Sequence, residues 1–176
     1  SKYHVVFTTR KANIQDFKKT GCTDVRWLPF GYDPSSHYYE NDLTDEWRSD
    51  LAFVGGADRD RLPMIAQLIN EGVNISLWGG YWDRSKETRN AVRGVADTDT
   101  LRKVISTTRC ALTLVRRANR DGHAMRTYEV AAIGAPMLVE DTTEHREIFN
   151  SEKNLVRYFR TEQEMLTGVR WFIENK

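Results

Sequence analysis

Apolar positions along the chain alternate between short unbroken runs and stripes spaced three and four residues apart. The first pattern marks a buried strand and the second one face of a helix. Runs at 50–54, 73–78, 109–115 and 135–139 predict strands, as do shorter ones at 3–9, 24–28 and 154–158. Between them lie stripes. Leu62, Ile65, Ala66 and Ile69 share one face of a helix predicted over 59–71, and Leu101, Val104 and Ile105 one face of a helix over 98–107. Further helices are predicted over 12–20, 123–134 and 142–149. Thr161-Glu-Gln-Glu164 has the form of a capping box and opens a last helix with Met165, Val169 and Phe172 inward. Segment 28–34, with Pro29, Gly31 and Pro34, excludes regular structure. The polar stretch 35–48 then reads as a linker or long loop. No internal repeat is visible.

Strands alternating with helices imply βαβ units, and so an α/β, Rossmann-like parallel sheet with helices on both faces. Right-handed connections follow. Ligands of such sheets bind beyond the carboxyl ends of the strands, where the winding reverses. Three loops fit that position: 55–61, 79–83 and 116–123.

Composition narrows the function classes. The 176 residues suffice for one domain with a real core. A net charge of +1, from 26 basic and 25 acidic residues, gives no global field for nucleic acid. No apolar run reaches the roughly 18 residues that span a bilayer, and no signal peptide is seen. Cys22 and Cys110 lie far apart, outside any metal or redox spacing, and read as core thiols of a reducing, cytoplasmic compartment. The histidines show no metal-ligand spacing, so no metal is expected. No Ser-His-Asp order or nucleophile elbow is present. The first residue is Ser and the last helix runs to the final residue, so the chain reads as a piece of a longer protein.

Chemistry concentrates in the third loop. Arg116, Arg117, Arg120 and Arg126 surround Gly122, which precedes a helix whose first N–H groups lack internal partners. A phosphate there meets free donors and the positive end of the dipole. His123 either donates to that ligand or is a solvated helix-start residue, and Asp121 is on local signals a helix cap. Glu129 shares the stripe of Met125 and Ala132. It is either a buried carboxylate that needs a partner, such as Arg126 or a ligand hydroxyl, or half of a solvated surface pair. Gly55-Gly56, followed by Arg59 and Arg61, either lets backbone approach a ligand or is a tight turn. Gly79-Gly80-Tyr81-Trp82 is either a stacking surface or a turn whose aromatics cover the core.

Phe53-Val-Gly55 with Arg61, Gly79, Asp121-Gly-His-Ala-Met-Arg-Thr-Tyr-Glu129, Gly134-Ala-Pro-Met-Leu138 and Thr143-Glu-His145 resemble the C-terminal domain of GT-B glycosyltransferases, of the "glycosyl transferases group 1" type found in spore-maturation (CgeB-like) proteins. The resemblance implies one half of a GT-B fold. Residues 1–34 would be the end of an N-terminal acceptor domain and its linker, 35–48 a loop, and 49–176 the nucleotide-sugar-binding domain. It implies a retaining, metal-independent hexosyltransferase without cofactor, using a UDP- or GDP-sugar donor, cytoplasmic or peripheral at the inner membrane face. The acceptor-binding N-terminal domain is the expected partner. The fragment alone is expected to be inactive.

The family carries a Glu-x7-Glu element. Its second acid falls on Glu129, implied to hold the donor ribose. The first falls on Asp121, a shorter carboxylate where the family contacts the transferred sugar. Gly55, Gly56, Arg61, Arg116, Gly122, His123, Ala124, Met125 and Arg126 are implied to bind the donor and its diphosphate. Rival expectations are a non-catalytic scaffold or partner-binding domain of the same fold, and a nucleotide-sugar epimerase.

Overall fold

A computed structural model describes residues 3–149 and 156–175. A two-stranded parallel sheet pairs β1 (Val6–Thr8) with β2 (Val25–Trp27) across the helix α1 (Ile14–Lys19). After a segment holding one 3-10 turn, Asp45–Trp47, the chain enters the main sheet. In order come β3 (Leu51–Val54), α2 (Arg61–Asn70), β4 (Ile75–Trp78), β5 (Val92–Gly94), α3 (Thr98–Thr107), β6 (Cys110–Thr113), α4 (Met125–Ile133), β7 (Met137–Glu140), α5 (Thr143–Ile148), β8 (Val156–Phe159) and α6 (Glu162–Glu174).

This sheet has six parallel strands in the order β5-β4-β3-β6-β7-β8. The chain begins at β3, steps outward to β4 and β5, then returns to the other side of β3 at β6. The winding therefore reverses between β3 and β6. The pleat splits the core in two. Leu51, Phe53, Leu112 and Leu114 pack with α2 and α6, through Ile65, Leu68, Met165 and Val169. Ala52, Val54 and Ala111 pack with α3 and α4, through Leu101, Val104, Val130 and Ile133. Strands covered on both faces have no polar alternation, which is why their sequences read as runs. The expected parallel sheet with helices on both faces is the fold. Among the described residues no helix is long and apolar enough to cross a membrane.

Local signals explain most element ends. Thr142 and Thr161 cap α5 and α6 through their hydroxyls, and Asp97 caps α3. The Thr161 box is offset: Glu164 accepts not from the cap residue but from the Arg160 N–H one position earlier, at 2.7 Å. Gly134 ends α4 in the left-handed region at φ 94°. Some expectations shift. The first helix splits into a 3-10 turn, Lys11–Asn13, and α1. The third-loop helix starts at Met125, not 123. β5 had no counterpart in the sequence pattern, and expected strand positions 154 and 155 lie outside the described residues. Cys110 is a core thiol whose pKa burial drives far up, whereas Cys22 is only half-buried and belongs to no core.

The loops after β3 and β4 lock through glycine. Gly79 sits at φ 148°, donates to Gly94 O at 2.7 Å, and would place a Cβ 2.3 Å from Gly55 O. Gly79→Ala is therefore expected to cost about 3 kcal/mol from backbone strain and a clash with backbone that cannot yield. Urea denaturation reads the loss, and an unchanged midpoint would refute the lock.

Candidate functional site

At the reversal between β3 and β6 the carboxyl ends of the two strands diverge, and a cavity of about 270 Å³ opens there. Its floor is Phe53, Val54 and residues 112–114. Its walls are Gly55, Gly56 and Arg61 on one side, Arg116, Asn119 and Asp121 on another, and Ala124, Met125 and Arg126 on a third. Phe30, from the segment after β2, closes it from above. Eight of the residues named from the sequence thus meet at one hollow: Gly55, Gly56, Arg61, Arg116, Asp121, Ala124, Met125 and Arg126. Gly122, His123 and Glu129 are not in its lining.

The cationic wall is built on Arg61. Its two terminal nitrogens donate to Gly56 O at 3.1 Å and Leu114 O at 3.0 Å, so one guanidinium ties the loop after β3 to the end of β6. Burial presses its pKa below the usual arginine value, and Asp58 opposes that. Asp58 accepts from the N–H groups of Asp60 and Arg61, capping α2 from outside, and lies 3.5 Å from both Arg61 and Arg116. Arg116 remains half-exposed beside the opening. Arg126 reaches Val54 O at 3.3 Å. Three arginines thus border one hollow, with Asp121 on its wall and Asp58 beside two of them.

The third wall is the start of α4. Its cap residue, Ala124, has no side-chain acceptor, so the cap comes from within: Thr127 accepts from the Ala124 N–H at 3.1 Å. Asp121 does not cap this helix. α5 lashes the whole loop down. Thr142 donates to Gly122 O at 2.5 Å, Glu144 binds His123 Nδ1, and His145 meets the Thr127 hydroxyl at 3.0 Å. A Cβ on Gly122 would lie 2.5 Å from the Glu144 carboxyl carbon, so a larger residue there would push the Glu144 side chain aside. His123 points away from the cavity, into a box of Trp27, Phe30 and Tyr128 rings at centroid distances of 5.5–5.9 Å. It is neither solvated nor on the cavity wall.

Both acids are engaged. Asp121 pairs with Arg10, from the end of the β1 unit, and accepts from Asn119 at 3.4 Å. Glu129 is buried, pairs with Arg126 and faces His37 Nε2 at 3.6 Å. The reading of Glu129 as half of a solvated surface pair does not hold. Sequence spacing leaves His37 among scattered histidines; a compact turn of Asp33, Ser35, Ser36 and His37 fixes its ring. The loop after β4 resolves as well. Trp82 is fully buried and donates to Gly55 O at 2.8 Å, while Tyr81 is exposed under Arg84. Among the described residues no group of acids, histidines and cysteines is arranged to hold a metal.

A larger hollow of about 700 Å³ lies at the opposite end of the sheet, bounded by Tyr39, Asp50, Asn74 and Arg109. Its arginines are taken: Arg109 by Asp50 and Arg48 by Asp45, each at 3.0 Å. Size does not decide between the two; the smaller one sits where parallel sheets bind ligands.

The profile of a family described as glycosyl transferase-like matches residues 59–176. No curated protein matches the sequence. Among solved structures, the chain is similar to a sucrose-phosphate synthase from Thermosynechococcus elongatus, with 12% identity and a TM-score of 0.67 over 97% of this chain and 49% of that one. It is also similar to a UDP-forming α,α-trehalose-phosphate synthase from Burkholderia xenovorans, with 13% identity and a TM-score of 0.59 over 99% of this chain and 54% of that one. The chain spans about half the length of each.

His145 couples the loop to pH. It is fully buried, its Nδ1 faces Glu140 O at 2.6 Å, and burial lowers its pKa from the ordinary 6.5, with the Glu140 carbonyl opposing. The unfolded chain therefore takes up a proton near pH 6.5 that the folded chain refuses until lower pH. Stability is fully present above that value and lost as pH falls below it. Urea midpoints are expected to drop between pH 7.5 and 5.5, and His145→Gln should flatten that drop. An equally steep drop in the variant would place the titrating group elsewhere.

Proposed function

The chain belongs to the glycosyl transferase-like family, and from that premise we propose that it is the donor-binding domain of a glycosyltransferase that takes a nucleotide-sugar. The observation that carries the reading is the placement of Arg61, Arg116 and Arg126 with the first residues of α4 around one cavity at the sheet's reversal point. Cleaving a sugar–diphosphate bond leaves negative charge on the diphosphate. Fixed guanidinium groups and a helix N-terminus stabilise that charge as it develops, without reorganising at the moment of reaction.

In this reading the diphosphate lies against Gly55, Gly56, Arg61, Arg116 and the backbone of 122–126. The sugar lies toward Asp121. The ribose reaches Glu129 beyond Arg126. Transfer in this reading is metal-independent and retaining, both as the resemblance to the CgeB-like type implies, with the arginines facing the diphosphate charge. The acceptor side belongs to an N-terminal domain of which residues 1–34 are the end, and the protein works in the cytoplasm or at the inner membrane face. Domain boundaries at 35–48 are part of the same proposal.

A second reading, a binding domain without transfer activity, is favoured by one observation: both acids of the pair are held by cations of this chain, Asp121 by Arg10 and Glu129 by Arg126. Sugar transfer by the full-length protein separates the two.

Calorimetric titration with UDP, GDP and ADP is expected to show binding by at least one, with a dissociation constant of roughly 1 µM–1 mM, the span of enzyme–substrate affinities. Folded protein that binds none of them would overturn the donor-binding reading. Glu129→Ala is expected to weaken the bound nucleotide about tenfold, the scale of one charge-assisted hydrogen bond, with the circular dichroism spectrum unchanged. Equal affinity would remove Glu129 from the ribose site.

A further inference from the structure

Two polar atoms on the cavity wall make no hydrogen bond within the described protein: the Thr113 hydroxyl and the Arg61 Nε–H. Thr113 is 1% exposed and Arg61 7%. Native structures seldom leave buried polar groups unsatisfied, because the lost hydration is not returned.

Thr113 is the more telling of the two. It is the last residue of β6, on the sheet face that carries Ala111. Its neighbours on that face are apolar: Ala111, Val54 and its register partner Val139. Valine has the same shape and β preference and would fill the place without an orphaned hydroxyl. Thr113 borders the cavity together with Ala124, Met125 and Arg126, where that apolar face ends. Arg61 approaches from the other wall. Its terminal nitrogens are committed to Gly56 O and Leu114 O, and its Nε is 3.5 Å from Asp58. Thr113 and Arg61 therefore border the same cavity from different sides, and of the two only the Thr113 hydroxyl has no charged or polar partner among the described residues.

We propose that Thr113 is a ligand-contacting residue of this cavity, its hydroxyl binding an oxygen of the ligand, either a diphosphate oxygen or a hydroxyl of the attached sugar. The inference rests on the donor-binding reading and adds to it a residue outside the Glu-x7-Glu element and the glycine loops. A hydroxyl suits both sources, since it donates to a phosphate oxygen and exchanges with a sugar hydroxyl.

Thr113→Val and Thr113→Ser test it, with two measurements on each: the melting temperature of the free protein, and calorimetric titration with UDP and UDP-glucose. Removing an orphaned hydroxyl relieves the free protein, so T113V is expected to melt about 2–4 °C higher than wild type. Its affinity is expected to fall about tenfold, for both ligands if a diphosphate oxygen is the partner and for UDP-glucose alone if the sugar is. T113S keeps both affinities within about twofold. T113V that binds both ligands as tightly as wild type overturns the role while leaving the donor-binding reading intact. T113V that melts well below wild type overturns it too, since the hydroxyl then serves the fold. Wild-type protein that binds neither ligand moves the same comparison to GDP and ADP and their glucose conjugates, and binding by none of them overturns the donor-binding reading and this inference together.

Discussion

One guanidinium holds together the place where the sheet changes direction. When a parallel sheet winds outward from β3 and then restarts on its other side, the loops leaving β3 and β6 part, and backbone carbonyls at the split lose sheet partners. Arg61 fills that gap by donating to Gly56 O and Leu114 O at once. Burying a lone cation there would be costly. Two charge-assisted bonds to carbonyls, each worth about 1.5–3 kcal/mol, with Asp58 alongside, offset that cost. Lysine has no planar fork to span two carbonyls. The positive wall of the cavity is thus a by-product of closing the fold, and the charge an anion would meet is already immobile.

The wall facing it is held in a different way. Helix α4 begins at a residue that cannot cap it, and the loop before it is rich in groups that would prefer water. α5, six residues long, supplies what is missing through Thr142, Glu144 and His145, which bind Gly122, His123 and Thr127. The contacts reach the loop backbone at Gly122, the His123 ring and the first turn of α4. The short helix therefore works as a clamp: it adds little core and instead fixes where the donors of α4 point. Preorganisation of this kind is what a site for a charged group needs, because donors that must reorient on binding lose much of their effect.

The strands and helices of the main sheet were legible because burial on both faces writes a dense, periodic pattern. The helix over 98–107 was read to the residue, and Leu101, Val104 and Ile105 are its buried face. β5 was not legible: Val92-Arg-Gly94 is an edge strand of three residues with an irregular register against β4, too short to show a period. The cavity was foreseeable as a place, since Gly55, Arg116 and the helix starts that carry Arg61 and Arg126 all come after strands. Its tertiary pairings were not. His37 meets Glu129 and Arg10 meets Asp121 across long separations that no local pattern encodes. His123 looked like a ligand because it sits between a glycine and a helix, yet Trp27 and Phe30, remote in sequence, enclose it. Thr113 was hidden inside a run that reads simply as strand.

These remote pairings share a direction. The β1–β2 unit touches the rest of the chain largely through the loop that lines the cavity: Arg10 on Asp121, Asp16 and Asn13 on Arg120, Trp27 and Phe30 on His123. Arg120, which makes one of these contacts, has a left-handed backbone, φ 55°. A ligand that engages Asp121 must therefore compete with Arg10, and one that displaces Phe30 must loosen the box around His123. Occupancy of the cavity and the seating of the β1–β2 unit are linked by the same side chains. Linkage of that kind acts in both directions: whatever draws the β1–β2 unit away also changes the shape and charge of the cavity, and whatever fills the cavity changes how firmly that unit is held.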